Sequence, residues 1–121
     1  MGGVSNRVGI IGVGLLGSAL GQRLAGQGWE VLGHDPAVTE LGGLTMCGSA
    51  VELAGRCDTL LLSLPTSAVA AEVVGALGQA VTGRHCFIDT TTGEPGEMEA
   101  LGQALAKHGA VYIEANVAGS S

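Results

Sequence analysis

Short apolar runs alternate along this chain with stretches in which leucine, valine or methionine recurs every three to four residues. The run Arg7-Val8-Gly9-Ile10-Ile11 reads as a first strand. After it, Leu16, Leu20 and Leu24, with Ala19, form a stripe that predicts a core-facing helix, stopped by Gly26 and Gly28. Trp29 to Gly33 reads as a second strand. Pro36 suits the first turn of a short helix reaching about Leu41, and Leu44 to Cys47 makes a short third strand. Ser49 followed by Glu52 is a capping-box signal for another brief helix. From Thr59 to Leu64 the chain has the continuous apolar character of a central strand buried on both faces, and Pro65 ends it. Val69, Val73, Val74 and Leu77 then put one face of a helix on the sheet. His85 to Asp89 is a fifth strand, and Met98, Leu101 and Leu105 share a helix face that ends at His108-Gly109. Val111 to Glu114 is a sixth strand.

This alternation with short connections predicts an α/β fold: a doubly wound parallel sheet of about six strands, covered on both faces, in a single domain over residues 1–121. The expected strand order is 3-2-1-4-5-6, with ligands outside the carboxyl ends of the strands. The loops on that edge are Gly12–Gly17, Asp35–Pro36, Leu64–Thr66, Thr90–Thr92 and Asn116–Ser121, and the polar clusters fall there.

Composition narrows the partners. Hydrophobic residues make up 46% of the chain beside 22 glycines, and charged residues only 13%. So few charges suggest a surface covered by another domain or a partner subunit. A net charge of −6 argues against nucleic acid, which needs clustered Lys and Arg. The uncharged stretch Val8–Gln22 is fifteen residues long and holds five glycines, which suits neither a signal peptide nor a membrane span. Cys47, Cys57 and Cys86 are odd in number, without CxxC spacing, and read as small apolar residues of a reduced cytoplasmic protein. No metal site is expected.

The chemistry-bearing motif is Gly12-Val13-Gly14-Leu15-Leu16-Gly17, between the first strand and the first helix. Its glycines serve, in turn, a tight turn, close backbone approach to a pyrophosphate, and close helix–strand packing. Asp35, eighteen positions past Gly17 and next to His34 at the end of the second strand, has the spacing of an acid that accepts hydrogen bonds from a ribose. A helix N-cap ahead of Pro36 is its other reading. With an acid there and no Arg or Lys between Asp35 and Thr45, a 2′-phosphate would meet repulsion, so NAD is expected over NADP. His34 reads as a structural imidazole bordering this site, and His85 and His108 receive no role. Thr91 and Thr92 are either helix-start hydroxyls or, for Thr91, a contact to the nicotinamide ribose. Glu114 reads as an ordinary carboxylate.

With these loops placed, the chain resembles the N-terminal domain of the β-hydroxyacid dehydrogenases, the family of 3-hydroxyisobutyrate dehydrogenase, tartronate semialdehyde reductase and 6-phosphogluconate dehydrogenase. The resemblance spans essentially the whole chain. It rests on GVGLLG, on Leu64-Pro65, on Ile88-Asp89-Thr90-Thr91-Thr92 with Pro95, and on the final Glu114-Ala115-Asn116-Val117-Ala118-Gly119-Ser120-Ser121. It implies cofactor contacts at Leu64 and Pro65, with Thr66 either joining them or capping the next helix. It also implies substrate contacts from Asn116, Ala118, Gly119 and Ser120. The family's form of that last segment is similar to DAPVSGG, so Asn116 stands for its proline and Ala118 for its serine. Losing that hydroxyl leaves the particular substrate open.

The family's proton-transfer lysine lies on a helix after this domain, whereas this chain has one lysine, Lys107, remote from the ligand edge. The resemblance therefore implies the cofactor half of an oxidoreductase that moves hydride between nicotinamide and a small hydroxy acid or semialdehyde, inactive alone. The full-length protein would be a homo-oligomer with a helical catalytic domain. Alternatives are a non-catalytic NAD-binding or sensing module and a prephenate dehydrogenase-like or imine reductase-like domain. An S-adenosylmethionine methyltransferase fits less well, because its glycine spacing differs.

Overall fold

The computed structural model describes residues 6–115. Six parallel strands form one sheet in the order β3-β2-β1-β4-β5-β6, as the alternating pattern predicts. They are β1 (Arg7–Ile11), β2 (Glu30–His34), β3 (Thr45–Met46), β4 (Thr59–Leu62), β5 (Cys86–Asp89) and β6 (Val111–Glu114). The helices are α1 (Leu15–Gly26), α2 (Ala50–Arg56), α3 (Ser67–Leu77) and α4 (Pro95–Ala106). In-register rows such as Ile11–Leu62–Asp89–Glu114 bring the strand ends together along one edge.

The core is unequal on the two faces. Leu32, Leu53, Leu60, Leu62, Phe87 and Leu105 pack where α2, α3 and α4 cover the sheet. A smaller cluster of Val8, Ile10, Val13 and Val31 lies on the other side, with Leu24, Ala25, Leu44 and Leu61 against it. This corrects the expectation of a fully covered sheet. In β4 and β5, buried residues alternate with half-buried ones, and in β6 Val111 and Ile113 are 52% and 45% exposed. The cause is topological. The crossovers β4→α3→β5 and β5→α4→β6 step outward in one direction, and right-handedness puts both helices on the same face.

Three local expectations also change. The stripe Leu16-Leu20-Leu24 is only partly turned inward: Leu24 packs against the smaller cluster and Leu16 is 37% exposed, while the fully buried positions of α1 are Gly17 and Gly21. A Cβ at Gly21 would stand 2.9 Å from Leu44 and 3.0 Å from Ile10, so this helix lies on the sheet through its backbone. No helix forms from Pro36 to Leu41. Asp35 instead captures the Ala37 amide at 2.8 Å, and the Val38 amide bonds to the Asp35 carbonyl at 3.2 Å, a local turn that competes with a helix. In α3, Ser67, Ala70, Val74 and Leu77 are buried, while Val69 and Val73 turn partly aside. The limits of β1 and β6 are those read in the sequence, β2 is displaced by one residue toward His34, and β3, β4 and β5 are shorter by one or two residues at an end, as element ends commonly are.

Candidate functional site

β1 runs into the glycine turn, where the Gly12 amide donates to the His34 carbonyl at 3.0 Å. Gly12 has φ +94°, and a Cβ there would overlap the Ser63 carbonyl oxygen, so only glycine fits. A Cβ at Gly17 would overlap the Gly12 carbonyl oxygen. Gly14 differs: a Cβ added there meets nothing within 4 Å. The protein's own packing does not demand glycine at that point, and the backbone there is bare toward the outside.

The helix start beside it is equally unfinished. In α2 the Ser49 hydroxyl accepts the Glu52 amide, in α3 the Thr66 hydroxyl accepts the Val69 amide, and in α4 the Glu94 carboxylate accepts the Gly96 and Glu97 amides. By contrast α1, capped by Gly14, has no side-chain cap and no acidic residue in its first turn. Its leading N–H groups and the positive end of its dipole therefore have no side-chain partner from the first turn or the cap, an arrangement able to receive an anion.

A cleft of about 460 Å³ opens at this helix start. Gly12, Gly14, Leu15 and Leu16 form one wall, Ser63, Leu64 and Pro65 a second, Thr90 and Thr92 a third, and Asp35 lies at one end. Asp35 Oδ2 accepts the Val13 amide at 2.9 Å and Oδ1 accepts the Ala37 amide at 2.8 Å. Each oxygen keeps a lone pair for a further donor such as a sugar hydroxyl. Since no helix follows Pro36, the helix-cap reading of Asp35 gives way to this turn-bridging role. A second, mainly apolar slot of about 480 Å³ shares Gly12, Asp35, Leu64 and Pro65 with the first. Ile11, His34 and Pro36 join Ala50, Val69, Val73 and Ala76 in lining the rest of it.

The remaining predicted residues divide clearly. Val13 is buried and contributes its amide to Asp35, while Leu15 is 93% exposed beside the cleft. His34 Nδ1 lies 3.1 Å from the Cys47 carbonyl and donates to it, the structural role read for it. Thr66 caps α3. Thr91, 4% exposed, accepts the Leu64 amide at 3.2 Å through its hydroxyl oxygen; its neighbours Thr90 and Thr92 are the ones that line the cleft. Asn116, Ala118, Gly119 and Ser120 lie outside the described residues. Ser63 was missed as a site residue, although the Ile11–Leu62 register already sets the residue after β4 beside the glycine turn. Val69 and Val73, one helical turn apart, line the second slot, whereas their spacing alone points to the core.

The other titratable groups stand away from the cleft. His85, 1% exposed at the opposite edge, accepts the Thr82 amide at Nδ1 (3.0 Å), so Nε2 carries the proton and donates to the Ala54 carbonyl at 2.7 Å. Burial pushes the Cys57 thiol up to about 11 and raises that of Cys47. Both are therefore protonated, unreactive thiols at neutral pH. Among the described residues no group of three His, Cys, Asp or Glu is arranged to hold a metal, and no helix is long and apolar enough to cross a membrane.

Residues 7–121 match the family described as the NAD binding domain of 6-phosphogluconate dehydrogenase. The chain is 35% identical to L-threonate dehydrogenase of Cupriavidus necator, over 98% of this chain and 42% of that protein. It is 32% identical to the mitochondrial 3-hydroxyisobutyrate dehydrogenase of Mus musculus, over 93% of this chain and 36% of that protein. Among solved structures, Mycobacterium tuberculosis 3-hydroxyisobutyrate dehydrogenase with L-serine superposes with a TM-score of 0.88 at 26% identity, covering 96% of this chain and 42% of that one. The chain thus spans well under half the length of these relatives. An uncapped glycine turn, an acid closing the second strand and this match together make the chain a member of the NAD-binding domain family of 6-phosphogluconate dehydrogenase and its β-hydroxyacid dehydrogenase relatives.

Proposed function

We propose that this chain is the cofactor-binding half of an oxidoreductase acting on a small hydroxy acid or its semialdehyde, and that it prefers NAD to NADP. The carrying observation is the uncapped start of α1 beside the bare backbone of Gly14. A pyrophosphate fits those requirements: it supplies the charge the amides lack and needs the space a side chain would take. Asp35 would receive the adenosine ribose, and the apolar slot beside Val69 and Val73 suits a flat purine. Thr90, Thr92 and Ser63 would border the nicotinamide ribose, with Thr91 acting on Leu64 from behind. NAD, when bound, supplies the hydride acceptor or donor.

Carbonyl reduction also needs a proton from a positioned acid. Among the described cleft residues Asp35 is the one acidic side chain, and it is engaged with two amides. Lys107 follows α4 at the far edge. The acid is therefore assigned to a further, helical domain, with Asn116, Ala118, Gly119 and Ser120 on the substrate's other side. The exposed Leu15, Val111 and Ile113 suit cover by that domain or by a second subunit of a homo-oligomer. Three unpaired cysteines fit a reducing compartment, the cytoplasm.

Calorimetric titration of the purified chain with NAD, NADP and S-adenosylmethionine tests this reading. NAD is expected to bind most tightly and to raise the thermal midpoint. Equal binding of NADP overturns the preference for NAD; binding of S-adenosylmethionine alone overturns the proposal.

A further inference from the structure

One buried carboxylate is absorbed neither by the cofactor contacts nor by the core. Asp89 ends β5 with 1% of its surface exposed. Its Oδ1 accepts the Thr91 amide at 2.8 Å, and its Oδ2 accepts the Tyr112 hydroxyl, from β6, at 2.7 Å. Thr91 passes the connection on, its hydroxyl oxygen accepting the Leu64 amide at 3.2 Å. The Ser63 amide is bonded in turn to the Ile11 carbonyl at 2.9 Å. A continuous chain of contacts thus runs along the carboxyl edge from β6 through Asp89 and Thr91 to the loop after β4 and the glycine turn. Asp89 also lies one residue before Thr90, whose hydroxyl donates to the Leu62 carbonyl at 2.8 Å.

We propose that Asp89 is a positioning residue for the nicotinamide half of the bound dinucleotide. It fixes the spacing between the Leu64-Pro65 loop and the Thr90–Thr92 loop, the two walls between which that half would lie. The inference rests on the dinucleotide reading above and adds to it a residue that touches no part of the ligand. Its geometry is selective. Leu64 and Pro65 border the apolar slot assigned to adenine as well, but the Thr90–Thr92 loop, which Asp89 holds directly through the Thr91 amide, borders the cleft and not the slot, and none of the Asp89, Thr91 or Tyr112 side chains lines the slot. Burying a carboxylate at this point is costly unless both oxygens are bonded, and here each has one donor. A hydrophobic side chain would suffice for packing alone. The carboxylate is what holds two loops and a strand in one arrangement.

The test compares two ligands on the same variants. NAD carries both halves of the dinucleotide, whereas ADP carries only the adenosine half and the diphosphate. Calorimetric affinities are measured for wild type, Asp89→Ala, Asp89→Asn, Thr91→Val and Tyr112→Phe. Asp89→Ala and Thr91→Val are expected to weaken NAD about tenfold, the effect of one buried amide left unpaired, while ADP affinity stays within about twofold. Asp89→Asn should rescue NAD binding, because its amide can donate to the Tyr112 oxygen while its carbonyl still accepts from Thr91. If Asp89→Ala does not fold, Thr91→Val and Tyr112→Phe carry the comparison, Tyr112→Phe with the smaller loss. Equal losses for NAD and ADP, or no loss for NAD, overturn the inference and leave the dinucleotide reading standing. Wild type binding neither ligand defeats both.

Discussion

A buried polar side chain stands at either end of β5, His85 just before it and Asp89 as its last residue, and the two do different work. His85 at the amino end and Asp89 at the carboxyl end are each 1% exposed and fully hydrogen-bonded. His85 joins the end of α2 to the turn after α3, which are elements of the core. Asp89 joins loops that border the cleft. The same degree of burial therefore serves stability at one edge of the sheet and ligand geometry at the other.

The contrast predicts that changes at the amino edge act on folding. His85→Ala strands the Ala54 carbonyl and the Thr82 amide and leaves a cavity, at about 3–5 kcal/mol. Urea denaturation should register that loss, while NAD affinity of the folded fraction stays at the wild-type value. At the carboxyl edge the effect reverses. Gly14→Val places a side chain where the protein has open space, so stability should change by less than about 1 kcal/mol. Calorimetry should nonetheless find NAD affinity down about a hundredfold, because the pyrophosphate approach is blocked. Asp35→Ala is a milder form of the same separation. A loss of about tenfold in NAD affinity, with a smaller loss for NADP, is expected in the same titration.

The smallest effect is a dependence on pH. Burial raises the Cys57 thiol from 9.0 to about 11, so the unfolded chain releases this proton first. Its contribution to stability is complete below about pH 9 and is lost as pH rises toward 11. Burial and the Asp89 carboxylate also push the Tyr112 hydroxyl upward, which adds to the loss at higher pH. Cys57→Ala should flatten the alkaline limb of the stability curve near its start, measured by denaturant midpoints across that range.

Much of this was readable in the sequence because pattern and topology agreed. Met98, Leu101 and Leu105 face the core as their spacing requires, and the glycine turn with Asp35 sits on the predicted edge. Failures came where one-dimensional periodicity lacks the relevant information. The leucines of α1 form a valid stripe, yet its glycines allow a closer approach than leucine does, and closeness decided which side went inward. The run Thr59–Leu64 reads as doubly buried because sequence records hydrophobicity, not which side the neighbouring helices take. Thr90, Thr91 and Thr92 are chemically alike, and only the hydrogen bond from Leu64 to Thr91 tells which one turns away from the cleft.

The half-covered sheet has a practical consequence. Leu61, Ile88 and Ile113 lie in one register row, flanked by Cys86 and Val111, on the side where, among the described residues, α1 is the one covering helix. Copies of the domain in concentrated solution would meet adhesive strips along these rows, held apart chiefly by mutual repulsion of their net −6 charge. Added salt screens that repulsion while strengthening apolar attraction, so colloidal behaviour should worsen with ionic strength well before the fold itself gives way.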